Sequence, residues 1–297
     1  MVLTELDEKV IAFAGGLSLG DDGSADEIRR RQIPMIASRS AEGVQGQPTV
    51  FDLNPPFASL TKPIGKYTYL FEHGAKSAAL VYLAVDASRA EAKIQRSLME
   101  ASGMKIVLVD ELPIATLSFD SAARAVANSK ADYMFFIGAD ESNSSMARSL
   151  KDAGYALKFP EYFEFAYGGN LIEAAGDAAE GATAWIRTLP NEDAALNAEI
   201  GNFVRWMELT SPGTAKDSLT AESWIAAKVV AESLEALAGP ISRDALVRQI
   251  RATDVYDANG MLGPIRLGPQ VNRGCSIGLV VRSGKWERLT PATGFLC

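Results

Sequence analysis

Short apolar runs alternate with longer amphipathic stretches through the middle of the chain. Runs of that length, bounded by turn residues, read as buried strands, and the stretches with apolar positions at helical spacing read as helices. From Ala78 onward the order is regular: strand Ala78 to Leu83, helix Ser88 to Ser102, strand Ile106 to Val109, helix Ser121 to Ser129, strand Tyr133 to Ile137, helix Ser142 to Ala153. Strands and helices alternating at these lengths predict a parallel sheet covered on both faces. The same unit is legible earlier. Val10 to Ala14 reads as a strand ending in Gly15-Gly16, Ser24 to Arg31 as a short helix with Ser24 as its N-cap, and Pro34 to Ser38 as the next strand. The chain then loops through Pro48 and Pro55-Pro56 before a helix from Ser59 to His73.

Further on, Lys158 to Phe165 has strand character with many rings, and Gly181 to Thr188 reads as another strand. After Pro190 the pattern changes to helices at about Ala194 to Met207, Thr220 to Leu237 and Ser242 to Ala252. Gly263 to Leu267 and Ile277 to Val281, with Ser283-Gly284-Lys285 turning into Trp286, then read as antiparallel strands closing the chain. Strands, then helices, then strands again imply that the chain returns to a domain it left earlier.

Composition narrows the function. With 297 residues and 47% apolar content, two ordinary cores are expected. A formal net charge of −8, with no run of Lys or Arg to offset it, argues against nucleic acid or an anionic membrane surface as partner and favours a small molecule. No stretch approaches the ~20 apolar residues of a membrane span, and the first residues do not read as a secretory signal. The one histidine, His73, follows a helix and precedes Gly74, a helix stop, which suits a surface residue near a helix C-terminus. Metal sites built from His and Cys are excluded on this inventory, and no cofactor fingerprint is present. Spacing alone leaves Cys275 and Cys297 open as a staple or as two idle thiols.

Ligands of α/β sheets sit at the carboxyl ends of the strands, so the loops there carry the candidate chemistry. Gly15 to Gly20 matches neither a dinucleotide fingerprint nor a phosphate loop, and Asp21 and Asp22 would repel phosphate; it reads either as a plain turn or as a site where the Ser18 hydroxyl and adjacent amides take a carboxylate. Ser38-Arg39-Ser40 offers two hydroxyls and a guanidinium for an anionic group, a loop serine cap being the commoner use of such residues. After the strand Tyr133 to Ile137 come Gly138, Ala139, Asp140 and Glu141, the two acids also being favourable at a helix start. Glu164 lies among Tyr162, Phe163, Phe165 and Tyr167, where a carboxylate is costly unless paired, so a cationic partner is expected.

Gly176-Asp-Ala-Ala-Glu-Gly-Ala182, after an aromatic-rich strand and before an apolar one, resembles the matching stretch of the leucine/isoleucine/valine-binding proteins, a branch of the type I periplasmic solute-binding proteins. Val10 to Ser18 with Pro34 to Ser38, Ala131 to Gly138, and Gly263-Pro-Ile with the terminal hairpin agree in order. The resemblance implies an α/β fold of two Rossmann-like lobes with a ligand cleft between them, closed by a hinge. Lobe 1 would comprise residues 1–52 and 191–259, and lobe 2 residues 53–190 and 260–297. It implies that Ser18 and the segment Ser38 to Ala41, including Ser40, hold a ligand carboxylate and that Glu164 holds an ammonium group. It also implies a non-enzymatic, extracytoplasmic component of an ABC-type importer, a monomer without cofactor, delivering branched-chain amino acids or related polar or aromatic metabolites to a membrane permease.

The chain departs from that pattern in three places. Ala139 stands where the family has an aromatic, and Arg89-Ala90-Glu91 replaces a tyrosine-glycine pair. A larger ligand, such as an aromatic acid, amide or short peptide, would use the space at Ala139, with Arg89 as a second anionic anchor. The family begins about two strand-helix units earlier, so the chain reads as a truncated or mis-started copy. Cys275 and Cys297 meet across the hairpin and are expected to pair, as export would favour. Two alternative readings are a sensory ligand-binding domain of the same fold and a cytoplasmic α/β reductase or hydrolase.

Overall fold

The structure, a computed structural model, describes residues 10–15, 23, 25–37, 44, 46–53, 65–267 and 274–297, except the Asp140 side chain. The chain divides into two compact units, unit 1 being Met1–Pro56, Pro190–Thr214 and Leu219–Asn272, and unit 2 Phe57–Leu189, Ala215–Ser218 and Arg273–Cys297. Each is built from discontinuous pieces.

Among the described residues of unit 1, strands β1 (Phe13–Ala14), β2 (Met35–Ala37) and β3 (Val50–Asp52) form a parallel sheet in that order. Helix α1 (Ala25–Arg31) carries Asp26 and Glu27 in its first turn and Arg29 to Arg31 in its last, which complements the helix dipole, and buries Ala25 and Ile28. Ile28 joins Met35, Ala37, Val44 and Val50 in a small core with Phe13 against it. Three further helices complete the unit: α7 (Ala198–Thr210), nearly all of α8 (Ser218–Glu235) and α9 (Arg243–Ala252). From α9, Arg243 donates to the carbonyls of Val10 (2.8 Å) and Arg31 (3.1 Å), tying that helix to the β1 and α1 ends. Glu199 on α7 accepts from Trp224 and Lys228 on α8, at 2.8 and 3.0 Å.

Unit 2 holds α2 (Gly65–Glu72), β4 (Ser77–Leu83), α3 (Asp86–Ala101), β5 (Lys105–Leu112), α4 (Asp120–Ser129), β6 (Tyr133–Ile137), α5 (Asp140–Asp152), β7 (Phe159–Tyr162), α6 (Leu171–Ala175), β8 (Thr183–Ile186), β9 (Ile277–Arg282) and β10 (Lys285–Thr290). Its sheet runs β10-β9-β8-β7-β6-β4-β5, parallel from β5 to β8 and antiparallel through β9 and β10. β6 is central and wholly buried, which is why its run Tyr-Met-Phe-Phe-Ile is apolar without alternation. The β9–β10 turn uses Ser283 (φ 51°) and Gly284 (φ 70°), the two positive φ values that a two-residue hairpin of this hand requires. Cys275, before β9, is disulfide-bonded to Cys297, with Cα atoms 4.0 Å apart.

One polar group lies deep in unit 2. Glu161 on β7 is buried, receives Lys66 Nζ at 2.5 Å and accepts a hydrogen bond from the Tyr133 hydroxyl at 2.7 Å. Lys66 Nζ also sits 4.5 Å from the Phe135 ring centre, a cation–π distance. Tyr67 donates to Gln95, which donates to Glu91 at 2.6 Å. Burial raises the Glu161 carboxyl pKa above the usual range, with the Lys66 charge opposing that rise.

Several elements differ from the sequence reading, α6 among them, which it did not contain. Val50–Asp52 is a strand rather than loop, because its backbone pairs with β2. Gly263 to Leu267 is not a strand: only an isolated antiparallel bridge joins Ile265 to Tyr256, and Pro264 has no N–H to extend it. The aromatic run stops being a strand at Tyr162 and turns through a 3₁₀ segment at Glu164–Ala166. Most other boundaries move by a few residues. His73 is exposed after α2, stacked on the Tyr69 ring at 3.9 Å.

Candidate ligand-binding site

The carboxyl ends of β4, β6, β7 and β8 lie along one edge of the unit 2 sheet, because these strands are parallel. After β6 the chain passes Gly138 and Ala139 into α5. A Cβ on Gly138 would come within 2.3 Å of the Phe136 ring, so the tight exit from β6 depends on glycine there. Ala139 caps α5 with its backbone and is exposed; its carbonyl accepts from the Asn143 N–H at 2.9 Å and from the Ser142 hydroxyl at 2.8 Å. Asp140 opens α5. Asn143 is fully buried, and among the described residues its side-chain amide has no hydrogen-bond partner.

After β7, Phe163 donates its N–H to the Phe136 carbonyl at 3.0 Å, and Glu164 begins the 3₁₀ turn. After β8 comes Arg187. Its Nη2 donates to both Glu164 oxygens, at 3.1 and 3.0 Å, and each side chain is 11% exposed. The cation that the Glu164 carboxylate demanded is therefore present in the chain itself. Sequence reasoning placed Arg187 inside a strand and assigned it no role. The available signal was a lone guanidinium ending the apolar run Thr-Ala-Trp-Ile, since a charge in that setting needs a counter-charge. Phe163 and Phe165 flank Glu164 along the chain, with ring centres 4.9 Å apart in an edge-to-face arrangement.

Arg89, in the first turn of α3, reaches Asp86 at 2.8 Å and Glu111 on β5 at 2.8 Å, with its side chain 46% exposed. Hydrogen bonding from Arg89 holds the Glu111 carboxyl below its usual range, against weak desolvation. Two carboxylates of its own unit thus engage the proposed second anionic anchor. Ser18, Ser38, Ser40 and Ala41 lie outside the described residues. Among the described residues no cluster of His, Cys, Asp and Glu has the makings of a metal site, and no helix is long and apolar enough to cross a membrane.

The family described as periplasmic binding protein matches residues 4–278. The chain belongs to the periplasmic binding protein family. Among solved structures, a leucine-binding protein of Thermotoga maritima aligns with TM-score 0.75 at 19% identity, over 95% of this chain and 80% of that one. A fatty acid ABC transporter substrate-binding protein of Thermomonospora curvata aligns with TM-score 0.77 at 18% identity, over 97% and 76%. A solute-binding protein of an R. palustris ABC transporter, solved with benzoate, aligns with TM-score 0.71 at 18% identity, over 91% and 74%. At these identities the likeness to each of these proteins is one of fold. No curated protein matches the sequence significantly.

Proposed function

We propose that the chain is the extracytoplasmic solute-binding component of an ABC-type importer, which captures a small organic molecule and presents it to a membrane permease without chemical conversion. Family membership over residues 4–278 carries this reading. It is supported by like folds in proteins described as binding leucine, benzoate or fatty acids. Units 1 and 2 correspond in this reading to the two lobes, with Ser18 and Ser38 to Ala41 assigned to the anionic end of the ligand by resemblance. Ala139 and the aromatic turn after β7 line the other end. Arg89, with its carboxylate partners, is assigned to the α3–β5 surface.

A thermal-shift screen of the purified protein against amino acids, aliphatic and aromatic acids and their amides tests the reading. A ligand at a hundred times its Kd should add about 2.7 kcal/mol of stability. For a protein of this size that moves Tm by roughly 4 °C. A panel in which no compound moves Tm would count against a solute-binding role.

A further inference from the structure

We propose that the molecule held at this edge bears no ammonium group and has an apolar aliphatic or aromatic body, rather than being an amino acid. The inference rests on the solute-binding reading and names its ligand class. Its basis is the Glu164–Arg187 pair. One guanidinium nitrogen contacts both carboxylate oxygens, at 3.1 and 3.0 Å, so the carboxylate that would otherwise receive a ligand cation already holds a cation of the chain. Both side chains are 11% exposed, which keeps the pair at the edge of the sheet and largely out of water. An ammonium brought there leaves its hydration shell, meets a neutralised carboxylate, and lies beside a fixed guanidinium of like charge. A ligand with no cation at that end incurs none of this cost.

The neighbouring groups suit an apolar body. Phe163 and Phe165 are half-buried and set edge to face on the same turn, and Ala139 leaves the adjacent β6 exit with only a methyl group. Rings and methyl recognise hydrocarbon by shape and desolvation. The pair lies between the ends of two adjacent parallel strands, so its position is set by the sheet and not by a free loop.

Matched ligands isolate the one group at issue. Isothermal titration of the purified protein with 4-methylpentanoate against leucine, and with 3-phenylpropanoate against phenylalanine, compares molecules differing only by the ammonium. Each acid is expected to bind at least tenfold more tightly than its amino acid; equal or tighter binding of the amino acid overturns the proposal. Arg187→Met removes the neutralising charge and should move the preference at least tenfold toward the amino acid. An unchanged preference in a folded Arg187→Met protein would also overturn it. Where that variant fails to fold, the wild-type comparison decides alone. Any ligand found in the wider screen is judged by the same criterion, so an ammonium-bearing ligand refutes only the ligand class. No binding by any compound refutes the solute-binding reading itself.

Discussion

Lys66 and Glu161 are the residues at which charge and burial conflict most. The two lie 95 positions apart in the chain and 2.5 Å apart in the fold, both buried. Removing the cation leaves a buried carboxylate facing only a hydroxyl. Lys66→Met should therefore cost about 3–5 kcal/mol at neutral pH. The penalty has a pH signature. Burial already raises the Glu161 pKa, and loss of Lys66 raises it further. A carboxyl with a raised folded pKa contributes stability that is complete below its unfolded value of about 4.3 and is lost as pH rises through the folded value. Urea unfolding of Lys66→Met should show a smaller deficit at pH 5 than at pH 8, and Lys66→Met/Glu161→Gln should recover part of it. Equal deficits at both pH values would mean that lost packing of the lysine stem, not charge, carries the cost. Neither residue was legible as a pair, because each sits in an unremarkable local context and only the β7–α2 packing joins them.

At the scale of elements, the run Gly176 to Gly181 was legible because its glycines have a backbone duty: φ is 56° at Gly176, ending α6, and 79° at Gly181, leading into β8. The terminal hairpin was legible for the same reason at Ser283-Gly284. The segment Gly263 to Leu267 was misread because its apolar character reflects burial without a sheet partner, and periodicity does not distinguish the two. The disulfide closes the hairpin against the chain end, beside the Ser276–Leu296 bridge, over a separation of 22 residues. A closed loop of that size should contribute on the order of 3 kcal/mol. Cys275→Ser/Cys297→Ser should lower the urea midpoint by a matching amount, and reductant should shift the midpoint of the wild type but not of the variant. Two titratable thiols in protein purified without reductant would argue against the bridge.

On the scale of the whole molecule, each unit is assembled from separate stretches of chain, and the unit 2 sheet takes its strands from both Phe57–Leu189 and Arg273–Cys297. In unit 2 the antiparallel partner of β8 is β9, which enters from the far end of the sequence. Trp185 on β8 packs on Gly278 of β9, where a Cβ would lie 3.0 Å from the indole. A fragment of residues 57–189 retains β4 to β8 but exposes the β8 edge and that indole face. Such an edge invites pairing between copies. The fragment is expected to aggregate or to unfold without a cooperative transition by circular dichroism, whereas the full chain unfolds cooperatively. A monomeric, cooperatively folding fragment would show that the β9–β10 hairpin is dispensable.

The sequence by itself determined the α/β class, the alternation that makes the sheet parallel and the motifs that carry family membership, because these depend on neighbours along the chain: period, turn residues, strand length. It also marked Glu164 as a charge in need of a partner. Which partner that is, Arg187 just beyond the next strand, was decided only by the tertiary structure, as were the Lys66–Glu161 contact, the pairing of Val50–Asp52 and the closure of the sheet by residues from the chain end. Such contacts depend on which strand lies beside which, and hydrophobic pattern carries no record of that order.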